Sequence, residues 1–198
     1  METIIQRCSW AKTHLSIPYH DTEWGVPLFD ERKWYEFLVL DAFQAGLTWE
    51  LILTRRPHLR LAFADFDPAA VAAFDAAQVE SLMQNANIIR NRLKIEASIK
   101  NARAFLKVQN DYGSFSSYIW RFVDGKPIIN HWQEPTQVPA TSREAEVVSK
   151  DLKQKGFSFV GPTICYAIMQ SAGLVNDHLV SCFRHAEIAA GCSHKAEQ

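Results

Sequence analysis

The segment Asp177-His178-Leu179-Val180-Ser181-Cys182 sets an imidazole and a thiol four residues apart, which puts both on one face of a helix or a tight turn. Near the other end of the chain, Cys8 and His20 make a second pair. Two thiolates with two imidazoles have the composition of a closed tetrahedral zinc site, with no position left for a catalytic water. The spacing is not that of a zinc finger, and Cys165 and Cys192 offer rival thiols. On residue types alone the set is either a metal site or ordinary burial of cysteine. A metal here would tie the two ends of the chain together and remove denatured-state entropy worth on the order of 5 kcal/mol. Asp177 or Glu23 would then orient a ligand histidine from behind.

A second constellation surrounds one acid. Trp34, Phe37, Leu38 and Ala45 fall on one helical stripe, and Asp41 lies on the same stripe, so a carboxylate points inward. It sits late in its helix, where the macrodipole disfavours negative charge, so helix stability gives no reason for it. Such an acid either meets a neighbouring helix N-terminus or an arginine, or marks a site. Trp10, Tyr19, Trp24 and Trp49 cluster around it in sequence, in a chain with only six tryptophans. Flat rings beside an inward acid suit a flipped nucleobase, above all a cationic one, and they equally suit an ordinary core.

A third segment, Gly156-Phe157-Ser158-Phe159-Val160-Gly161-Pro162-Thr163, reads as a tight apolar hairpin between two helices, the second opened by proline. Backbone N–H groups at such a hairpin, from Gly156, Phe159, Val160, Gly161 and Thr163, form an anion site for a DNA phosphate without a lysine-rich surface. Lys150, Lys153, Lys155, Arg90, Arg92, Lys94, Lys100 and Arg103 could add counter-charge.

These groups must be positioned by helices. Asp30, Asp67-Pro68 and a capping box at Thr141 to Glu144 mark helix starts, and Gly46, Gly156 and Gly173 mark stops. Alternating strand patterns are nearly absent, and Asp124 to Ala140, with three prolines, is the longest irregular stretch. The pattern predicts an all-α chain of seven to nine short helices. The 198 residues fit one domain, or two closely packed helical lobes. An apolar fraction of 47% argues against disorder. No apolar run exceeds six residues, so nothing spans a membrane, and Met1 to Trp10 lacks the core of a secretory signal, which places the protein in the cytoplasm. With a formal charge of -1 there is no global basic excess, so a nucleic acid would be held by a local patch.

Tyr19 to Pro27, Gln44 to Trp49, Ile88 to Ile95 and Gly156 to His178, taken together and in this order, resemble the DNA-3-methyladenine glycosylase I family, from Cys8 to Cys182. The resemblance implies an all-α helix-hairpin-helix DNA glycosylase fold with a structural zinc joining the N- and C-terminal regions through Cys8, His20, His178 and Cys182. It implies a monofunctional enzyme that excises 3-methyladenine from double-stranded DNA. By the same resemblance Tyr19 and Asp41 hydrogen-bond the base edge, Trp49 stacks on its face, Trp10 and Trp24 complete the wall, and Leu47 wedges into the vacated space. No lysine on the stripe of Asp41 is placed to form a Schiff base. One departure stands out: Asp41-Ala42-Phe43 occupies the place where the family usually has glutamate followed by glycine, and aspartate reaches roughly 1.5 Å less far. Two alternatives follow, a zinc-stapled damaged-DNA-binding module and a glycosylase with altered alkyl-base specificity.

Overall fold

The computed structural model describes residues 5–194. Ten α-helices are found among them: α1 (Ser16–Thr22), α2 (Glu31–Gln44), α3 (Trp49–Ala62), α4 (Pro68–Ala72), α5 (Ala76–Gln84), α6 (Arg92–Tyr112), α7 (Phe115–Trp120), α8 (Arg143–Gln154), α9 (Pro162–Ser171) and α10 (Phe183–His194). That exceeds the expected seven to nine, because pieces as short as five residues in α4 and six in α7 carry too little periodicity to be read from sequence. The only strands among the described residues are Ile128–Ile129 and Val175–Asn176, a two-residue parallel pair. No described helix is long and apolar enough to cross a membrane.

The start signals act as their chemistry requires. Asp30 accepts from the N–H of Lys33, and Asp67 from those of Ala69 and Ala70. At α8 the cap is Ser142, not Thr141: Ser142 accepts from the N–H of Ala145, while the Thr141 hydroxyl is buried without a partner. The expected box is therefore replaced by a single cap bond one residue later, since Ala145 at the third helical position has no side chain to reach back.

Helix α2 is the centre of the molecule. Every residue from Trp34 to Phe43 is buried, so the stripe inferred from spacing understates a helix enclosed on all sides. Ala45, expected on that stripe, is instead the half-buried C-cap. Gly46 follows with φ of 77°, a left-handed conformation that glycine adopts without strain, and it turns the chain sharply into α3. One apolar cluster runs from Tyr19 to Val175, with α2 flanked by α3, α6, α7 and α9. A smaller one joins Cys8, Leu179 and Cys182, with Trp24 and Trp132 packed on it.

Candidate functional site

Cys8, His20, His178 and Cys182 come together. All four are buried, and their ligand atoms lie within 4.8 Å of one another. His178 Nδ1 stands 3.6 Å from each sulfur, and His20 Nε2 stands 3.4 Å from Cys182 Sγ. The edges of a tetrahedron around zinc, with bonds of about 2.0–2.3 Å, are about 3.3–3.8 Å, so the donor set matches in type and spacing. Each imidazole also has its remaining nitrogen engaged: His20 Nδ1 lies 2.7 Å from Asp21 Oδ1, and His178 Nε2 lies 3.1 Å from the Trp24 carbonyl. Gly25 permits the latter approach, since a Cβ there would lie 2.9 Å from His178 Nε2. A hydrogen bond from Cys8, and then from His178 and His20, holds the Cys182 thiol down at about 2. The residues could hold a metal ion.

The histidine-orienting carboxylate is Asp21, itself clamped by Arg7, rather than the expected Asp177 or Glu23. Asp177 instead accepts from Asn130, Trp132, Tyr166 and Gln170. Glu23 pairs with Arg56 and Lys33, and Arg56 also meets buried Glu36 of α2. This ion-pair network locks α1, α2 and α3 together, and with them Tyr19 and Asp41. Cys165 joins no metal cluster; its thiol donates to the Val160 carbonyl. The side chain of Cys192 lies outside those described.

Against the Cys and His cluster opens a cavity of about 340 Å³. Trp10, Tyr19, Trp24, Asp41 and Trp49 all line it. The Tyr19 and Trp49 rings lie 5.1 Å apart, and Trp10 and Trp24 meet edge-on at 5.1 Å. Trp24 also stands edge-on to His178 at 4.5 Å, so the metal ligands buttress the cavity wall. Trp10, 39% exposed, forms the outer edge. The Trp49 indole N–H is buried without a partner, an unmet donor in this wall. Leu47 does not line the cavity; it is 37% exposed on the turn two residues before Trp49.

Asp41 is 3% exposed, and no cation pairs with it among the described residues. Among the described residues its one hydrogen-bond partner is the Ser171 hydroxyl at 3.5 Å. Burial pushes its pKa up to about 8, with the Ser171 hydrogen bond opposing. The phenol of Tyr19 is likewise raised, by burial and then by the nearby Asp41 charge, so it remains a donor. Sequence reasoning missed Ser171 and Gln170, which also line the cavity. Both lie at the end of the apolar α9, where two adjacent polar residues after the run Ile164 to Met169 give no periodic signal.

The raised Asp41 pKa fixes a pH dependence of stability. The folded value lies above the ordinary 3.8, so this carboxyl favours the folded state below about pH 4, and that advantage is lost as pH rises toward 8. Asp41→Asn is therefore expected to exceed the wild type in unfolding free energy at pH 8 by about a few kcal/mol, and so to melt at higher temperature, a margin that closes near pH 4. Calorimetry across this range measures it, and an equal margin at both ends would disprove the assignment.

The hairpin between α8 and α9 turns through Gly156 at φ 93° and Phe159 at φ 55°, the latter a left-handed conformation rare for a bulky residue. Phe157 and Val160 anchor it in the core, and Ser149 donates to the Val160 carbonyl. Gly156 is spent on closing α8, its N–H bonded to the Lys153 carbonyl, so it does not join the anion site. Among the described residues, the N–H groups of Phe159, Val160, Gly161 and Thr163 have no acceptor in the chain. Of the expected counter-charges, Arg90, Lys100, Lys150 and Lys153 are exposed. Arg92 is paired with Glu80, Arg103 bonds the carbonyls of Ala72 and Phe74, and Lys155 bonds Tyr112. Lys94 is buried, its ammonium held by backbone carbonyls, and so cannot face a phosphate.

Helices paired across a hairpin, beside a ring-walled cavity over a buried acid, define the scaffold of a helical DNA glycosylase. The chain belongs to the methyladenine glycosylase family, whose model matches residues 10–185. It is 44% identical over 179 residues to DNA-3-methyladenine glycosylase 1 of Escherichia coli (strain K12), covering 90% of this chain and 96% of that relative. A crystal structure of 3-methyladenine DNA glycosylase I superposes with a TM-score of 0.88 at 46% identity, covering 90% of this chain and 98% of that one. A Staphylococcus aureus glycosylase I, solved to define the structural basis of 3-methyladenine recognition, superposes with a TM-score of 0.87 at 36% identity, over 91% and 97% of the two chains.

Proposed function

We propose that this protein is a monofunctional DNA glycosylase that hydrolyses the N-glycosidic bond of 3-methyladenine in double-stranded DNA. The observation that carries the reading is Asp41, buried without a cationic partner at the floor of a cavity walled by tryptophan and tyrosine. An acid with a pKa of about 8 is mostly neutral in the empty cavity at neutral pH. A cationic purine entering beside it supplies the missing opposite charge and lowers that pKa, so the pair forms only when the base carries charge. Unmodified adenine offers no such return for ionising the acid.

Asp41 and Tyr19 engage the base edge, Trp49 stacks on its face, and Trp10 and Trp24 close the walls. Methylation at N3 already weakens the glycosidic bond, because the base leaves neutral, so no strong general acid is required. The cavity positions the leaving base while water attacks the sugar carbon. Among the described residues lining the cavity there is no lysine, which supports hydrolysis without strand cleavage. Outside the cavity, Leu47 is the wedge that fills the space left by the extruded nucleotide. The free N–H groups from Phe159 to Thr163 hold a backbone phosphate at the start of α9. Cys8, His20, His178 and Cys182 hold a structural zinc, which supplies cross-linking rather than catalysis.

The direct test is release of free 3-methyladenine from methylated duplex DNA, followed by chromatography, with the product strand checked for intact length. We expect base release with an uncut strand. No release by folded protein would reject the proposal, and tight binding to the same duplex without release would favour the damaged-DNA-binding alternative.

A further inference from the structure

The inward face of α6 carries three polar side chains, Lys94, Ser98 and Asn101, exposed by only 5, 0 and 1%. Lys94 and Asn101 are two helical turns apart, about 10 Å along the axis, and share one face. Lys94 reaches the main chain at the C-terminal end of α2, and Asn101 that of the α8–α9 hairpin. Lys94 Nζ donates to the carbonyls of Phe43 at 2.7 Å and Ala45 at 2.6 Å, immediately before the Gly46-Leu47 turn. Asn101 bonds Ser158 in both directions, accepting its N–H at 2.7 Å and donating to its carbonyl at 3.0 Å, in the middle of the α8–α9 hairpin. Between them, Ser98 donates to the Lys94 carbonyl, and its own carbonyl accepts from Tyr35 of α2.

A buried ammonium and a buried amide are costly unless their bonds are made, and an apolar side chain would fill either place at lower cost. What the polar groups add is direction: each fixes a backbone segment that core packing alone would let slide. The segment under Lys94 leads into Leu47, and the segment under Asn101 leads into the unpaired N–H groups from Phe159 onward. We infer that α6 is a spacer holding the wedge turn and the anion-binding hairpin in fixed register, with Lys94 and Asn101 as positioning residues for extrusion of the target nucleotide. The inference rests on reading the cavity as a base pocket. Extrusion needs the wedge to enter the stack at the nucleotide whose neighbouring phosphate the hairpin grips, and a misplacement of about 1 Å is enough to cost orders of magnitude in rate.

The test uses the full-length protein, Lys94→Met and Asn101→Ala, in single-turnover excision on two duplexes. In one the 3-methyladenine is paired with thymine; in the other it faces an abasic gap, where extrusion is easier. Binding of free 3-methyladenine, read by tryptophan fluorescence, monitors the cavity itself. Each variant should lose about tenfold or more on the paired duplex, recover most of that loss opposite the gap, and bind free base as the wild type does. Equal losses on both duplexes, weakened binding of free base, or no loss on the paired duplex would each overturn the spacer. If Lys94→Met does not fold, Asn101→Asp, which keeps the acceptor for Ser158 and loses the donor, decides by the same comparison. A wild type that excises from neither duplex would instead overturn the base-pocket reading, and the spacer with it.

Discussion

Asparagine at position 41 should lower excision of 3-methyladenine by about 10²–10³ while duplex affinity stays within about threefold. The substitution keeps shape and removes charge at a site enclosed by protein, where a preorganised anion acts with little screening from water. On the proposed reading, affinity for DNA comes from phosphate contacts elsewhere, at the hairpin and the exposed basic residues, which the substitution leaves untouched. The wild-type pH profile should carry the same signature. Because burial holds the free carboxyl at about 8, kcat/KM should rise with pH until that point, roughly tenfold per unit well below it, and then level. The asparagine variant should show no such rise. Equal loss of binding and excision would make Asp41 a structural group and remove it from the chemistry.

Chelation should unfold the protein rather than merely inhibit it. Cys182 and His20 are 162 positions apart in sequence, and Cys8 and His178 are 170 apart. A bridge across loops of that length removes denatured-state entropy worth about 5 kcal/mol, beside a typical total stability of about 5–15 kcal/mol. Without a metal, a thiol, a thiolate and two imidazoles would remain buried side by side, with Trp24 packed on them. Circular dichroism and melting with and without chelator should show a large fall in melting temperature, and Cys182→Ser should reproduce it. Lost activity with unchanged melting would mean a metal in the reaction; no change in either would mean that no metal resides there.

Much of this arrangement was legible in the chain itself. Helix starts at Asp30 and Asp67 and stops at Gly46 and Gly156 are local chemistry, written in one or two residues each. The inward direction of Asp41 follows from spacing, whereas donor type leaves Cys165 and Cys192 as rival thiols, and only the family resemblance singles out Cys8, His20, His178 and Cys182. What spacing could not supply is which elements enclose which. That α2 is buried on every side depends on α6, α7 and α9, all distant in sequence, as well as on the adjoining α3, so spacing within α2 shows a narrower stripe than the fold buries. Lys94 shows the same limit most sharply. A lysine near other basic residues reads as a solvated charge, and only the approach of the α2 C-terminus, some fifty residues earlier, turns it into a buried clamp. The pairing of Asp21 with His20 is hidden in the same way, because adjacency in sequence gives no hint of which ring nitrogen a carboxylate faces.

The near-complete burial of Cys8 and Cys182, 4 and 2% exposed, bears on where this protein must operate. Methylated bases arise where electrophilic methyl donors are present, and a thiolate is among the best nucleophiles for them in a cell. An exposed pair would be capped by the same reagents that create the damage. Packed beneath Trp24, Trp132 and Leu179, Cys182 is withdrawn from that attack, while Cys8 lines the cavity and keeps only 4% of its surface open to it.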